Sequence, residues 1–69
     1  MTQRQIWQHK VSGEQYAVIY VDGLLSEAAG PLHYNEVEAI KDGEYFENDV
    51  EIAAELLMHE DDYDLVCEY

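Results

Sequence analysis

The segment QYAVIYV, residues 15–21, is followed directly by the dipeptide Asp22-Gly23, and together they decide the fold. The β-branched and aromatic residues of 15–21, uninterrupted by glycine or proline, predict a β-strand. Asp-Gly suits the positive φ angles of a two-residue type I′ turn, so the chain is expected to double back into a second strand, LLSEA, at residues 24–28. The fold is therefore predicted to contain a central β-hairpin.

The segments on either side of this hairpin predict the other elements. RQIWQHKV and YDLVCEY show the two-residue alternation of strands, whereas HYNEVEAIK and NDVEIAAELLMH carry apolar residues at helical spacing. Gly30-Pro31 is expected to end the third strand, and Asp42-Gly43 to end the first helix. The predicted elements are strands 4–11, 15–21, 24–28 and 63–69 and helices 33–41 and 48–59.

The second helix carries the clearest start signal. Asn48 is a favourable N-cap, and Glu51 follows three residues later, which is a variant of the capping box. The residues predicted to form its buried stripe are Val50, Ala53, Ala54, Leu57 and Met58.

The order β-β-β-α-α-β predicts one α+β domain, residues 1–69, in which a small antiparallel sheet carries two short helices on one face. Strand 15–21 is apolar on both sides, so one face of the sheet would then lack cover. This uncovered face predicts self-association through three of its residues, Tyr16, Val18 and Tyr20.

Charge limits the classes of partner. The chain has 16 Asp and Glu against three Lys and Arg, a formal net charge of −13. Residues 14–69 hold all 16 acids and one base, giving −15, whereas residues 1–13 carry two bases, giving +2. Such self-repulsion opposes folding. Nucleic acid and anionic membrane are excluded as direct partners, because both require cationic contacts.

No sequence signal for secretion or membrane insertion is present. The start MTQRQIWQHK lacks the apolar region of a signal peptide, and no stretch approaches the roughly 20 apolar residues of a membrane span. The single cysteine, Cys67, excludes an intrachain disulfide. We therefore expect a soluble, cytoplasmic protein.

The sequence also predicts no enzyme, cofactor or metal site. DDYD resembles the start of a calcium loop, but the glycine and the closing glutamate of such a loop are missing. His9, His33 and His59 are scattered, and none is paired with a second ligand at zinc spacing. His59 is expected at a helix C-terminus. Cys67, inward and beside carboxylates, is expected to be unreactive.

The acidic residues themselves are the remaining candidate site. Carboxylates at helix positions i and i+4 lie about 6 Å apart along the axis, near the spacing of backbone phosphates. The predicted partner-binding acids are Glu36, Glu51, Glu55, Glu60, Asp61, Asp62 and Asp64.

Two functions are compatible with these features. In the first, the chain binds a basic protein, such as a nucleic-acid-binding protein whose site it occupies by mimicking nucleic acid. In the second, it is a homo-oligomeric structural or accessory domain, for example a homodimer, and its charge serves only solubility. The clustering of the acids on one face would favour the first.

Overall fold

The computed structural model describes residues 1–43 and 46–69. The order of elements confirms the predicted β-β-β-α-α-β arrangement and the α+β class. The elements are β1 (Thr2–His9), β2 (Gln15–Val21), β3 (Leu24–Leu32), α1 (Tyr34–Lys41), α2 (Val50–Met58), a 3-10 turn (Glu60–Asp62) and β4 (Tyr63–Glu68). Within the described ranges, no helix has both the length and the apolar character needed to cross a membrane.

The four strands form one antiparallel sheet in the order β3-β2-β1-β4. The predicted β2–β3 hairpin is confirmed, since Asp22 and Gly23 have φ angles of 53° and 83° and Val21 pairs with Leu24. The third strand does not end at Gly30-Pro31, as the sequence predicted, but continues to Leu32. Proline is tolerated there because β3 is an edge strand, where a missing N–H need not break a ladder.

One face of the sheet is covered by α1. Neighbouring residues of a strand point to opposite faces. Ile6 of β1 and Ala17 of β2 face α1, where they are buried against Val37 and Ile40. These four side chains form the core of the first layer.

The opposite face is covered by α2. Here Leu56 of the helix is fully buried against Trp7, Tyr16, Val18 and Ala28 from the three strands β1, β2 and β3. The prediction of two helices on one face is therefore wrong in this respect, because each face receives one helix.

Two residues just before α2 hold the start of this helix against strand β3. Asn48 Oδ1 accepts a hydrogen bond from the backbone N–H of Ala28 at 3.1 Å, and the N–H of Asp49 donates to the carbonyl of Ala28 at 2.7 Å. The start of α2 is thus tied to the β3 edge. Asn48 is not the N-cap, as predicted; Asp49 caps α2 by accepting from the N–H groups of Glu51 and Ile52.

The buried side of α2 also differs from the predicted stripe. Leu56 is fully buried and Ile52 and Ala53 are half-buried, whereas Leu57 is 54% exposed and Val50, Ala54 and Met58 also face outward. Most residues of this helix are apolar, so several phases satisfy helical periodicity almost equally well. Packing against the sheet selects the phase centred on Leu56.

Candidate protein-binding surface

The turn between α2 and β4 gathers several of the predicted acids. His59 caps the end of α2, as expected. Its Nε2 lies 3.9 Å from Glu55 Oε1, and its Nδ1 lies 3.8 Å from Asp62 Oδ2. The imidazole therefore stands between a helix carboxylate and a turn carboxylate, with both contacts longer than a hydrogen bond.

Lys10, in the loop after β1, ties this turn to the sheet. Its Nζ donates to the carbonyl of Asp61 at 2.7 Å and lies 4.0 Å from Asp64 Oδ1. Its backbone N–H donates to the carbonyl of Asp62 at 2.9 Å. One cation thus anchors the turn mainly through backbone oxygens, and it leaves most of the negative charge of the turn uncompensated.

Five of the seven predicted acids lie on α2 and the following turn. A sixth, Asp64, comes next on β4, but it pairs with Gln8, so its side chain points to the α1 face of the sheet. These acids remain well exposed, with 61% of the Glu55 side chain, 59% of Asp62 and 70% of Asp64 accessible. We call the five acids of α2 and the turn the acidic surface; it comprises Glu51, Glu55, Glu60, Asp61 and Asp62.

Glu36 does not belong to the acidic surface. It lies on α1, which covers the opposite face of the sheet. Its Oε1 accepts a hydrogen bond from the N–H of His33 at 3.1 Å, so the carboxylate stabilises the start of α1. The expectation that all seven acids share one face is wrong for Glu36, because the two helices lie on different sides. It is also wrong for Asp64, because strand alternation turns this residue away from α2.

The predicted self-association surface is also covered within the chain. Tyr16 is 9% exposed, Val18 is fully buried, and both pack against Leu56 of α2. Tyr20 is half-buried at the margin of the same cluster. The premise that these three side chains form an open face is therefore wrong.

An aromatic groove lies beside the acidic surface. Helix α2 packs mainly over β3, so it leaves the β1–β4 half of its face open. The ring of Trp7 lies there between the rings of Tyr20 and Tyr63, with centroids 6.1 Å from each. Leu65, which pairs with Trp7 across the strands, is 57% exposed. The groove has a volume of about 300 Å³ and is lined by Gln5, Trp7, Tyr20, Glu60, Tyr63 and Leu65.

Hydrogen bonds hold both ends of this groove. At one end the Tyr20 hydroxyl donates to Glu60 Oε1 at 3.3 Å. At the other, Gln5 Oε1 accepts from Trp7 Nε1 at 2.9 Å, while Gln5 Nε2 donates to Glu68 Oε1 at 3.3 Å. The aromatic floor is thus bordered by a carboxylate at each end.

The tyrosines around the groove are held neutral. Burial raises the pKa of Tyr20, and the nearby negative charge of Glu60 raises it further. Burial likewise raises the pKa of Tyr63, and the charges of Glu55 and Asp62 add to the effect. Their hydroxyl groups therefore remain protonated in the neutral pH range and can act as hydrogen-bond donors.

A larger cavity of about 640 Å³ lies on the α1 face. Its lining brings Arg4 and Lys41 together with Glu27 and Asp42. Because its described charges balance, it offers a basic partner less than the acidic surface does.

The described part of the chain contains no group of three or more His, Cys, Asp or Glu that could hold a metal ion. Cys67 is half-buried and packs against the cluster beneath α1. The site is thus one of carboxylates and aromatic rings.

Comparison of the chain with protein-family models, with curated proteins and with solved structures finds no match. The sequence predicted the five acids of this site but did not indicate that Trp7 and Tyr63 contribute to it. The alternation of residues along β1 and β4 indicated which side chains lie on the same face of each strand. Only the register between the two strands brings Trp7 and Tyr63 together.

Proposed function

We propose that the chain is a small, non-enzymatic binding protein whose acidic surface engages a basic surface of another protein. The observation that carries the proposal is the exposed run of Glu60, Asp61 and Asp62, which Lys10 holds through the backbone carbonyls of Asp61 and Asp62 rather than by neutralising their carboxylates. A fixed and uncompensated row of negative charge attracts a basic partner and accelerates its association.

A narrower form of the proposal is mimicry of nucleic acid. Glu51 and Glu55 are one helical turn apart, about 6 Å along the axis, and His59 links Glu55 to Asp62. The carboxylates therefore continue from the helix into the turn, and the helical pair is spaced near the interval between successive backbone phosphates. The basic partner would then be a nucleic-acid-binding protein, and nucleic acid would compete for the same surface of that partner.

The alternative, a homo-oligomeric accessory domain, has weaker support. Its predicted contact residues Tyr16 and Val18 are covered by α2. The exposed edge strand β4 offers Leu65 and Val66, but it also carries carboxylates that would repel those of a second copy. Sedimentation equilibrium at tens of micromolar distinguishes the two, since this alternative requires a dimer or a larger oligomer.

The test begins with affinity capture from host lysate at low and high salt, followed by mass spectrometry. Association of the captured protein is then measured for Glu51→Lys/Glu55→Lys. A matched control is Glu38→Lys/Asp42→Lys, which changes the net charge equally, at the same four-residue spacing, on the other face. We expect the first pair to slow association much more than the second, and added salt to slow it for the native chain.

Equal effects of the two pairs would show that only net charge matters, and the acidic surface would then have no specific role. A partner that binds this protein and nucleic acid simultaneously would exclude mimicry while leaving the broader proposal intact. Circular dichroism of each variant verifies that the fold is retained.

A further inference from the structure

We infer that the aromatic groove binds an arginine side chain of the basic partner. The inference rests on the proposed function and adds the residue type that the partner inserts. It concerns the open half of the α2 face, lined by Gln5, Trp7, Tyr20, Glu60, Tyr63 and Leu65.

The floor of the groove suits a flat cation. The ring of Trp7 is tilted by 40° against Tyr20 and by 41° against Tyr63, at centroid distances of 6.1 Å. A guanidinium group stacks on aromatic faces and is attracted by their negative π-systems. Trp7 is only 9% exposed, so the rings within reach of a guanidinium are mainly those of Tyr20 and Tyr63, which are half-buried. The aliphatic part of an arginine side chain would lie against Leu65, which is 57% exposed on the same face.

The ends of the groove suit the positive charge. The hydrogen bond from Tyr20 engages Glu60 Oε1, and Glu60 Oε2 can accept from a guanidinium N–H. Glu68 stands beyond Gln5 at the opposite end. None of the described residues lining the groove is a lysine or arginine, so no internal cation occupies it.

The size of the groove limits the occupant. Its volume of about 300 Å³ lies at the lower end of the range of roughly 300–1,000 Å³ for small-molecule pockets. This is enough for one long side chain. Arginine is favoured over lysine because its planar group can both stack on the half-buried rings of Tyr20 and Tyr63 and donate several hydrogen bonds, whereas an ammonium group is a strongly hydrated point charge.

The experiment titrates the native chain with N-acetyl-arginine amide and follows the fluorescence of Trp7, the single tryptophan of the chain. N-acetyl-citrulline amide is the neutral isostere, and N-acetyl-lysine amide has the same charge without the planar group. We expect saturable binding of the arginine derivative, weaker binding of the lysine derivative and no response to citrulline. Equal responses to arginine and lysine, or to arginine and citrulline, would overturn the inference, as would no response at all.

Two variants locate the binding. Glu60→Gln removes the carboxylate at the groove and should weaken arginine binding about tenfold, as expected for loss of a charged hydrogen bond. Glu38→Gln makes the same change of charge on α1 and should leave the affinity unchanged. If both variants weaken binding equally, the ligand senses net charge only and the groove is not its site.

Failure of this inference can be separated from failure of the proposed function. If the partner still depends on Glu51 and Glu55 but the arginine derivative does not bind, only the inferred anchor is wrong. If the derivative binds the groove but reversal of Glu51 and Glu55 does not affect the partner, the acidic surface is wrong instead.

Discussion

The phase of α2 gives the most decisive test of the fold. Leu56 and Leu57 are adjacent and chemically identical, yet Leu56 is fully buried against the sheet and Leu57 is 54% exposed. Truncation of each to alanine should therefore have very different effects on the free energy of unfolding. The sequence pattern predicted Leu57 as the buried residue. Comparison of the two alanine variants therefore shows which side of α2 is buried.

The magnitudes follow from burial. Leu56→Ala would leave a cavity among Trp7, Tyr16, Val18 and Ala28, and should cost about 2–5 kcal/mol. A side chain like Leu57, already half exposed, loses only part of the roughly 1.5–3 kcal/mol of full burial, so Leu57→Ala should cost less than about 1 kcal/mol. Folded proteins have a free energy of unfolding of about 0.05–0.15 kcal/mol per residue, so a chain of this length has only roughly 3–10 kcal/mol in total.

The assay is urea denaturation followed by far-UV circular dichroism and by Trp7 fluorescence. For a slope of about 1 kcal/mol per molar urea, the midpoint should fall by about 2 M or more for Leu56→Ala and by less than about 1 M for Leu57→Ala. The slope itself should not change. A larger loss for Leu57→Ala than for Leu56→Ala would refute the packing described for α2.

Three further predictions concern the whole domain. Increasing NaCl from low concentration to 0.5 M should raise the melting temperature, because screening relieves repulsion in a chain of net charge −13; a flat or falling curve would show that this repulsion is not a significant cost. Tyrosine ionisation should not affect the free energy of unfolding below pH about 10. At higher pH the domain should lose stability as the pH rises through the raised tyrosine pKa values of the folded state, because folding favours the neutral phenols. Thermal melts between pH 8 and 11.5 test this, and a melting temperature that rises across the range would contradict it. The tyrosines whose pKa is raised are Tyr16, Tyr20, Tyr63 and Tyr69. Gly30→Ala should destabilise the domain more than Gly23→Ala, because a Cβ on Gly30 would lie 2.3 Å from Tyr16 Cδ2, whereas a Cβ on Gly23 meets no atom within 4 Å. Both glycines have positive φ, so both substitutions strain the backbone. Equal losses of stability in urea denaturation would show that this strain, and not the contact with Tyr16, is what matters.

The candidate site was only partly predictable from the sequence. The acids from Glu60 to Asp62 are consecutive, and their proximity needs no long-range information. The bridge from Glu55 through His59 to Asp62 is also local, because it depends on the end of one helix. The groove beside them was not predictable, since Trp7 and Leu65 are joined by a pairing across 58 positions of the chain, and that pairing includes a register shift.

The sequence by itself determined the elements and their order, because strand alternation, the Asp22-Gly23 turn and helical spacing are local properties of the chain. It could not determine which face each helix covers or which side of α2 is buried. Strand β2 is apolar on both faces and α2 is apolar nearly all round, so several arrangements satisfy the same pattern. The tertiary structure decided between them through long-range contacts. The hydrogen bonds of Asn48 and Asp49 to Ala28 place the start of α2 at the β3 edge, and burial of Leu56 sets the rotation of the helix.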